Sequence, residues 1–169
     1  MRTLRFNILG LPVLFSLLFV MAGVATSKAK AAEQYKLVSA SQVAAALDQA
    51  KGQRTVFFLY TSWCPYCRKS LPEISAIAKD YPGRVIAVSL DKDPETLWRY
   101  LQKQYADIPF TPYVWNRRDI FAKPLERFGI QPGNGIPFTA LIDAHGYVHK
   151  QGVLSPSVAR AYIEGGALE

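Results

Sequence analysis

Apolar positions along this chain switch between two periods, and the switching predicts its elements. Thr55-Val56-Phe57-Phe58-Leu59-Tyr60 is continuously apolar, as a central strand covered on both faces should be. Beyond it Leu71, Ile74, Ile77 and Ala78 recur at near-helical spacing, with Pro72 placed to kink that helix. Upstream, Ser41 is expected to cap a helix running through Ala50, with Val43, Ala46 and Leu47 on its apolar side. A strand over 84–90 follows Pro82-Gly83. Asp93 then caps a helix with Pro94 at its first position and Leu97, Trp98, Leu101 and Tyr105 on one face. Phe138–Ile142 and Tyr147–Val153 read as a hairpin across Ala144-His145-Gly146. Ser155-Pro156 opens a last helix that Gly165-Gly166 ends. Alternating helices and strands make the class α/β. The stretch 108–118 resists the scheme, because Pro109 and Pro112 argue for an irregular segment or an edge strand. Its aromatics would either form a recognition surface, with Arg117 and Arg118 steering a partner, or pack onto the core.

The first thirty residues obey a different pattern. Arg2 and Arg5 precede an apolar run from Ile8 to Val24, and small residues then offer cleavage sites after Ala25 or Ala31. This is the three-part layout of a secretory signal over 1–31. Read instead as an anchor, residues 8–24 would span about 26 Å as a helix, slightly short of the roughly 30 Å hydrocarbon core. Either way the positive flank stays inside and the remainder, residues 32–169, is exported as one domain. The formal net charge of +7 includes Arg2, Arg5, Lys28 and Lys30. Without them, 16 Lys and Arg face 13 Asp and Glu, too mild and scattered a surplus to indicate a nucleic-acid partner.

Two cysteines, Cys64 and Cys67, are all the chain has, and they sit where the strand gives way to the helix. A helix start leaves N–H groups unpaired and carries partial positive charge, which favours the thiolate, the reactive form of cysteine. Three duller readings compete. A purely structural disulfide closing so short a loop would remove little chain entropy, on the order of 2 kcal/mol against roughly 3 for a 15-residue loop. A zinc site would need His145 and His149, about 77 residues beyond Cys67, where a finger allows 12–15. A copper site would want further soft or imidazole ligands near the thiols, and none is close in sequence. Redox chemistry, needing neither metal nor cofactor, is the favoured reading.

The surrounding residues carry a family resemblance. Trp63-Cys64-Pro65-Tyr66-Cys67, with Pro72 eight positions after Cys64, resembles the active-site strand and helix of the thioredoxin fold. Gly135-Ile136-Pro137-Phe138-Thr139-Ala140-Leu141-Ile142-Asp143 resembles its cis-proline loop and the strand that follows. Val85 to Asp91 and Leu141-Ile142-Asp143…Gly146 are similar to the extracytoplasmic branch typified by TlpA and ResA. The resemblance covers about residues 36–165. It implies a central mixed sheet flanked by helices on both faces, and a thiol–disulfide oxidoreductase acting on other exported proteins, for example as a reductant of apocytochrome c thiols. A membrane electron donor or acceptor is a further implied partner. An oxidase, an isomerase or a metal-delivery module on the same fold stays open.

By that resemblance Cys64, expected to be exposed, is the nucleophile, and Cys67, one turn inward, resolves the mixed disulfide. Trp63, Pro65, Tyr66, Ile136 and Pro137 would meet the substrate, with the Ile136 backbone turned outward to pair with an extended strand. Arg68 and Lys69 add positive charge nearby. Cys-Pro-Tyr-Cys also resembles the motif of glutaredoxins and of some periplasmic isomerases, which by itself supports no glutathione site. One departure stands out. Six residues before the first cysteine, thioredoxins carry a buried acid that helps move the resolving thiol's proton; here the position is Phe58.

Overall fold

The computed structural model describes residues 35–116, 122–133 and 135–166. The leader read over 1–31, with its cleavage sites and its 8–24 run, lies outside the described residues, as do Arg117 and Arg118. Among the described residues no helix is long and apolar enough to cross a membrane.

The elements run β1 (Lys36–Val38), α1 (Ala40–Gln49), β2 (Thr55–Tyr60), α2 (Pro65–Asp80), β3 (Val85–Ser89), α3 (Pro94–Gln104), β4 (Tyr113–Trp115), α4 (Ala122–Glu126), β5 (Phe138–Ile142), β6 (Val148–Gly152) and α5 (Pro156–Ile163). The strands form one six-stranded sheet in the order β1-β4-β3-β2-β5-β6. β2 pairs parallel with β3 and antiparallel with β5, so the strand that leads into the cysteines is internal, and all six of its residues are buried. The α/β class with a mixed sheet is as the sequence indicated.

Period two along β2 divides the core. Val56, Phe58 and Tyr60 point into a cluster that holds both cysteines, Leu71, Ile74 and Ile77 of α2, Leu97 and Leu101 of α3, and Ala159, Tyr162 and Ile163 of α5. Phe57 and Leu59 point the other way, onto Val43, Ala44 and Leu47 of α1 with Leu125, Phe128 and Ile130. Helices thus cover both faces, which explains why β2 reads as an unbroken apolar run.

The helix limits follow local chemistry. Asp93 caps α3 through its side chain, and Pro94 opens it. The first helix differs from expectation: its cap is Ser39, not Ser41. The Ser39 hydroxyl accepts from the Gln42 amide, and the Gln42 side chain accepts from the Ser39 amide. That reciprocal pair satisfies two donors at once, which Ser41, already inside the first turn, has no way to do. Helix α2 continues through Pro72 as a single element.

Two more corrections concern the sheet edge. The sequence pattern missed β1, a three-residue strand with only Val38 buried, too short to show a period. Its presence changes the stretch 108–118, because β4 pairs with β1 on one side and β3 on the other. β4 is therefore an internal strand, neither edge nor irregular. Phe110 and Val114 are buried, and Tyr113 and Trp115 pack against the second core cluster. These aromatics pack onto the core, the second of the two readings of this stretch.

Candidate active site

The chain leaves β2 through Thr61-Ser62-Trp63 and enters α2 at Cys64, which is the N-cap, with extended backbone (φ −73°, ψ 120°) and Pro65 in the first turn. The proline costs nothing there, since its missing N–H would have had no helical partner. Serine or aspartate usually fills such a cap. Here the Cys64 Sγ takes that role, accepting from the Cys67 amide at 3.3 Å. One of the helix's otherwise unpaired donors is thus aimed at a sulfur.

From the far side of the sheet centre comes the loop before β5. The Ile136–Pro137 peptide is cis, Pro137 is buried, and the Ile136 carbonyl oxygen lies 3.7 Å from Cys64 Sγ. The structure therefore brings together the two motifs separated by some seventy residues. It also corrects an expectation. Cys64 is only 5% exposed, because the Ile136–Pro137 loop closes over its sulfur. Exposure falls instead on the neighbours: Trp63 is 65% and Tyr66 70% exposed, with Pro65 also at the surface.

Cys67 is fully buried, and both cysteines are free thiols. Burial pushes the Cys67 thiol up to about 12. The hydrogen-bonded Cys64 sulfur and the charge of Asp91 push the same way, and a backbone hydrogen bond at Thr61 pulls back. Arg68 does not project freely into solvent. Its Nε donates to the Ser62 carbonyl, and its guanidinium lies 5.1 Å from the Tyr100 ring centre. Lys69 stays at the surface, 5.9 Å from the Tyr66 ring centre. His145 and His149 are exposed, and His149 stacks on Tyr162. Among the described residues no group of three or more His, Cys, Asp or Glu could hold a metal ion.

Sequence reasoning missed one feature of this site. Asp91 is 4% exposed and accepts from the Ser62 amide (2.8 Å), the Ser62 hydroxyl (2.8 Å) and the Ser89 hydroxyl (2.6 Å). In the sequence Asp91 stands only as a family marker at the end of a strand. Register was the missing signal: Phe58 pairs with Ala87 and Tyr60 with Ser89, so the next inward step sets Ser62 beside Asp91.

This geometry agrees with what the chain is similar to. The Redoxin family profile matches residues 25–162. The chain belongs to the Redoxin family. The thiol:disulfide interchange protein DsbE of Allochromatium vinosum is 32% identical over 116 residues, which is 67% of this chain but 58% of that relative's length. A solved thiol:disulfide interchange protein of the thioredoxin family from Chlorobium tepidum TLS superposes with a TM-score of 0.57 at 19% identity, covering 70% of this chain and 83% of its own. A DsbF homologue from Corynebacterium diphtheriae gives 0.55 at 14%, over 70% and 75%. At such identities these structures speak to the fold, and they show it to be thioredoxin-like, as the two motifs implied.

Proposed function

We propose that this Redoxin-family chain is a thiol–disulfide oxidoreductase that works outside the cytoplasm on the disulfides of other proteins, with Cys64 as the attacking sulfur and Cys67 as the resolving one. The observation that carries the reading is the setting of the Cys64 sulfur: a helix-start N–H donor on one side and the Ile136 carbonyl on the other. Around it stand Trp63 and Tyr66, broadly exposed. That leaves a sulfur with a narrow approach, rimmed by aromatic surface and by backbone that can pair with an extended peptide.

In the reducing direction, the Cys64 thiolate attacks one sulfur of the substrate disulfide. A Cys64–substrate S–S bond forms, and the other substrate sulfur leaves with the electron pair. Cys67 then gives up its proton and attacks the Cys64 sulfur. The second substrate thiol is released, and Cys64–Cys67 is left as a disulfide. Two electrons have passed to the substrate, and a dithiol donor must return them. The same bonds run backwards in an oxidase. The relative called a thiol:disulfide interchange protein supports the chemistry, and the arginine-led apolar leader supports export.

The reduction potential of the Cys64–Cys67 pair against glutathione is the deciding experiment, combined with capture of partners on a Cys67→Ser chain. A value near −270 mV, the thioredoxin region, supports a reductant; one near −120 mV makes the chain an oxidant. Failure of Cys67→Ser to accumulate mixed disulfides through Cys64 overturns the assignment of roles. Mass spectrometry of the mature protein checks export: the expected terminus lies near Ala32, an intact Met1 in the membrane fraction means an anchor, and a cytoplasmic chain refutes both.

A further inference from the structure

The thioredoxin pattern puts a buried acid where this chain has Phe58, and Phe58 is sealed: it is 1% exposed and stacks on Tyr60 at 5.6 Å between ring centres. No charge can act from that position. Yet the same face of the sheet carries one elsewhere. β2 and β3 run parallel with Phe58 opposite Ala87 and Tyr60 opposite Ser89, and the ladder goes on, since the Leu90 amide donates to the Tyr60 carbonyl at 2.8 Å. Side chains alternate along strands, so Asp91 points to the face that Phe58, Tyr60 and Ala87 share with Cys67. It lies towards the cysteine end of that face.

Resting on the oxidoreductase reading, we propose that Asp91 is the buried anion of this site, a positioning residue that fixes the turn presenting Cys64 and holds the Cys67 thiol protonated until Cys64 has reacted. Three donors converge on its carboxylate, from the Ser62 amide, the Ser62 hydroxyl and the Ser89 hydroxyl. An ionised carboxylate can accept all three, being an acceptor only. Ser62 stands two residues before Cys64, and Arg68 grips its carbonyl from inside α2. The turn is thus clamped from the segment just past β3 and from α2 at once. Asp91 also lines a cleft of about 400 Å³ together with Trp63, Lys92, Asp93 and Thr96.

The charged and titratable groups around this pair come from several elements. Cys64 caps α2 and Arg68 lies on it, Tyr60 is on β2, Tyr100 on α3 with Tyr105 just beyond it, and Lys92 and Asp93 follow Asp91. Burial, then the charge of Asp91, also raises the Tyr60 hydroxyl, so the anion's field reaches that face. A negative charge here opposes a second one on Cys67. Burial does most to hold the Cys67 thiol up, the Asp91 charge adds to it, and the acid of this face stands two residues past β3 instead of on β2.

The test uses alkylation and no disulfide substrate. In a full-length Cys64→Ser chain, Cys67 labelling by iodoacetamide is followed by mass across a pH series, with and without Asp91→Asn. Removing the anion is expected to lower the pH at which Cys67 ionises, read as labelling more than about threefold faster near neutral pH. Asp91→Glu should restore slow labelling, and Ser62→Ala, which removes one hydrogen bond and keeps the charge, should change it less than about threefold. A loosened fold would also lower the pH at which Cys67 ionises, by exposing the thiol, so Ser62→Ala, which loosens the same turn and keeps the charge, is the control: an equal shift there overturns the inference. An unshifted or upward-shifted profile in Asp91→Asn overturns the inference. Should that variant not fold, Asp91→Ser is read in the same way. A wild-type chain that exchanges no disulfides would refute the proposed function, and the labelling profile would still decide the role of Asp91.

Discussion

Reduced, unmodified protein offers a sharp test of how differently the structure treats its two thiols. The perturbation is a pH series from about 7 to 12 with both cysteines present. Cys67 has no exposed surface, and burial pushes its thiol up to about 12, whereas a free cysteine ionises near 8.5. At pH 7 a free thiol is about 3% thiolate; one that ionises near 12 is thiolate to about one part in 10⁵. Because only the thiolate reacts, Cys67 should label about three decades more slowly than the same residue in denaturant. The assay is rapid-quench alkylation with peptide mass mapping of Cys64 and Cys67, and a urea-unfolded control for each. The folded state binds the Cys67 proton more tightly than the unfolded state does, so stability is fully present below about pH 8.5 and falls as pH climbs towards 12. Denaturant midpoints across that window should drop accordingly. Labelling of folded Cys67 within tenfold of the unfolded control, or a midpoint that rises above pH 9, would refute the reasoning.

Three further outcomes follow from the packing. Trp63→Ala, which removes a side chain 65% exposed beside the sulfur, should slow reduction of a protein disulfide at least about threefold while leaving the thermal midpoint unchanged; equal activity removes Trp63 from the docking rim. Leu71→Ala empties a fully buried position of α2 and should cost about 2–5 kcal/mol in urea unfolding. Arg54 donates to the Tyr162 carbonyl at 2.8 Å and stacks 4.9 Å from the Tyr162 ring centre, so Arg54→Ala should cost about 1–2 kcal/mol and speed amide hydrogen exchange in α5 before that in β2.

Much of this protein was legible because its signals are local. The unbroken apolar run of β2, the helical spacing in α2, the Asp93-Pro94 start of α3 and the glycine-marked hairpin each depend on residues adjacent in sequence. Turn, cap and period are properties of short segments, and one segment is enough to declare them. The cysteine pair at a strand–helix junction belongs to the same class. A three-residue β1, by contrast, shows no period, and the internal place of β4 is decided by a strand some seventy-five residues away. The cover over Cys64 comes from Ile136, and the carboxyl that holds Ser62 comes from Asp91. Sequence determined which residues can do thiol chemistry and the strand and helix that carry them. Tertiary structure decided how exposed each sulfur is and which charge it feels, because burial and electrostatic fields are set by groups that meet only when distant strands pair.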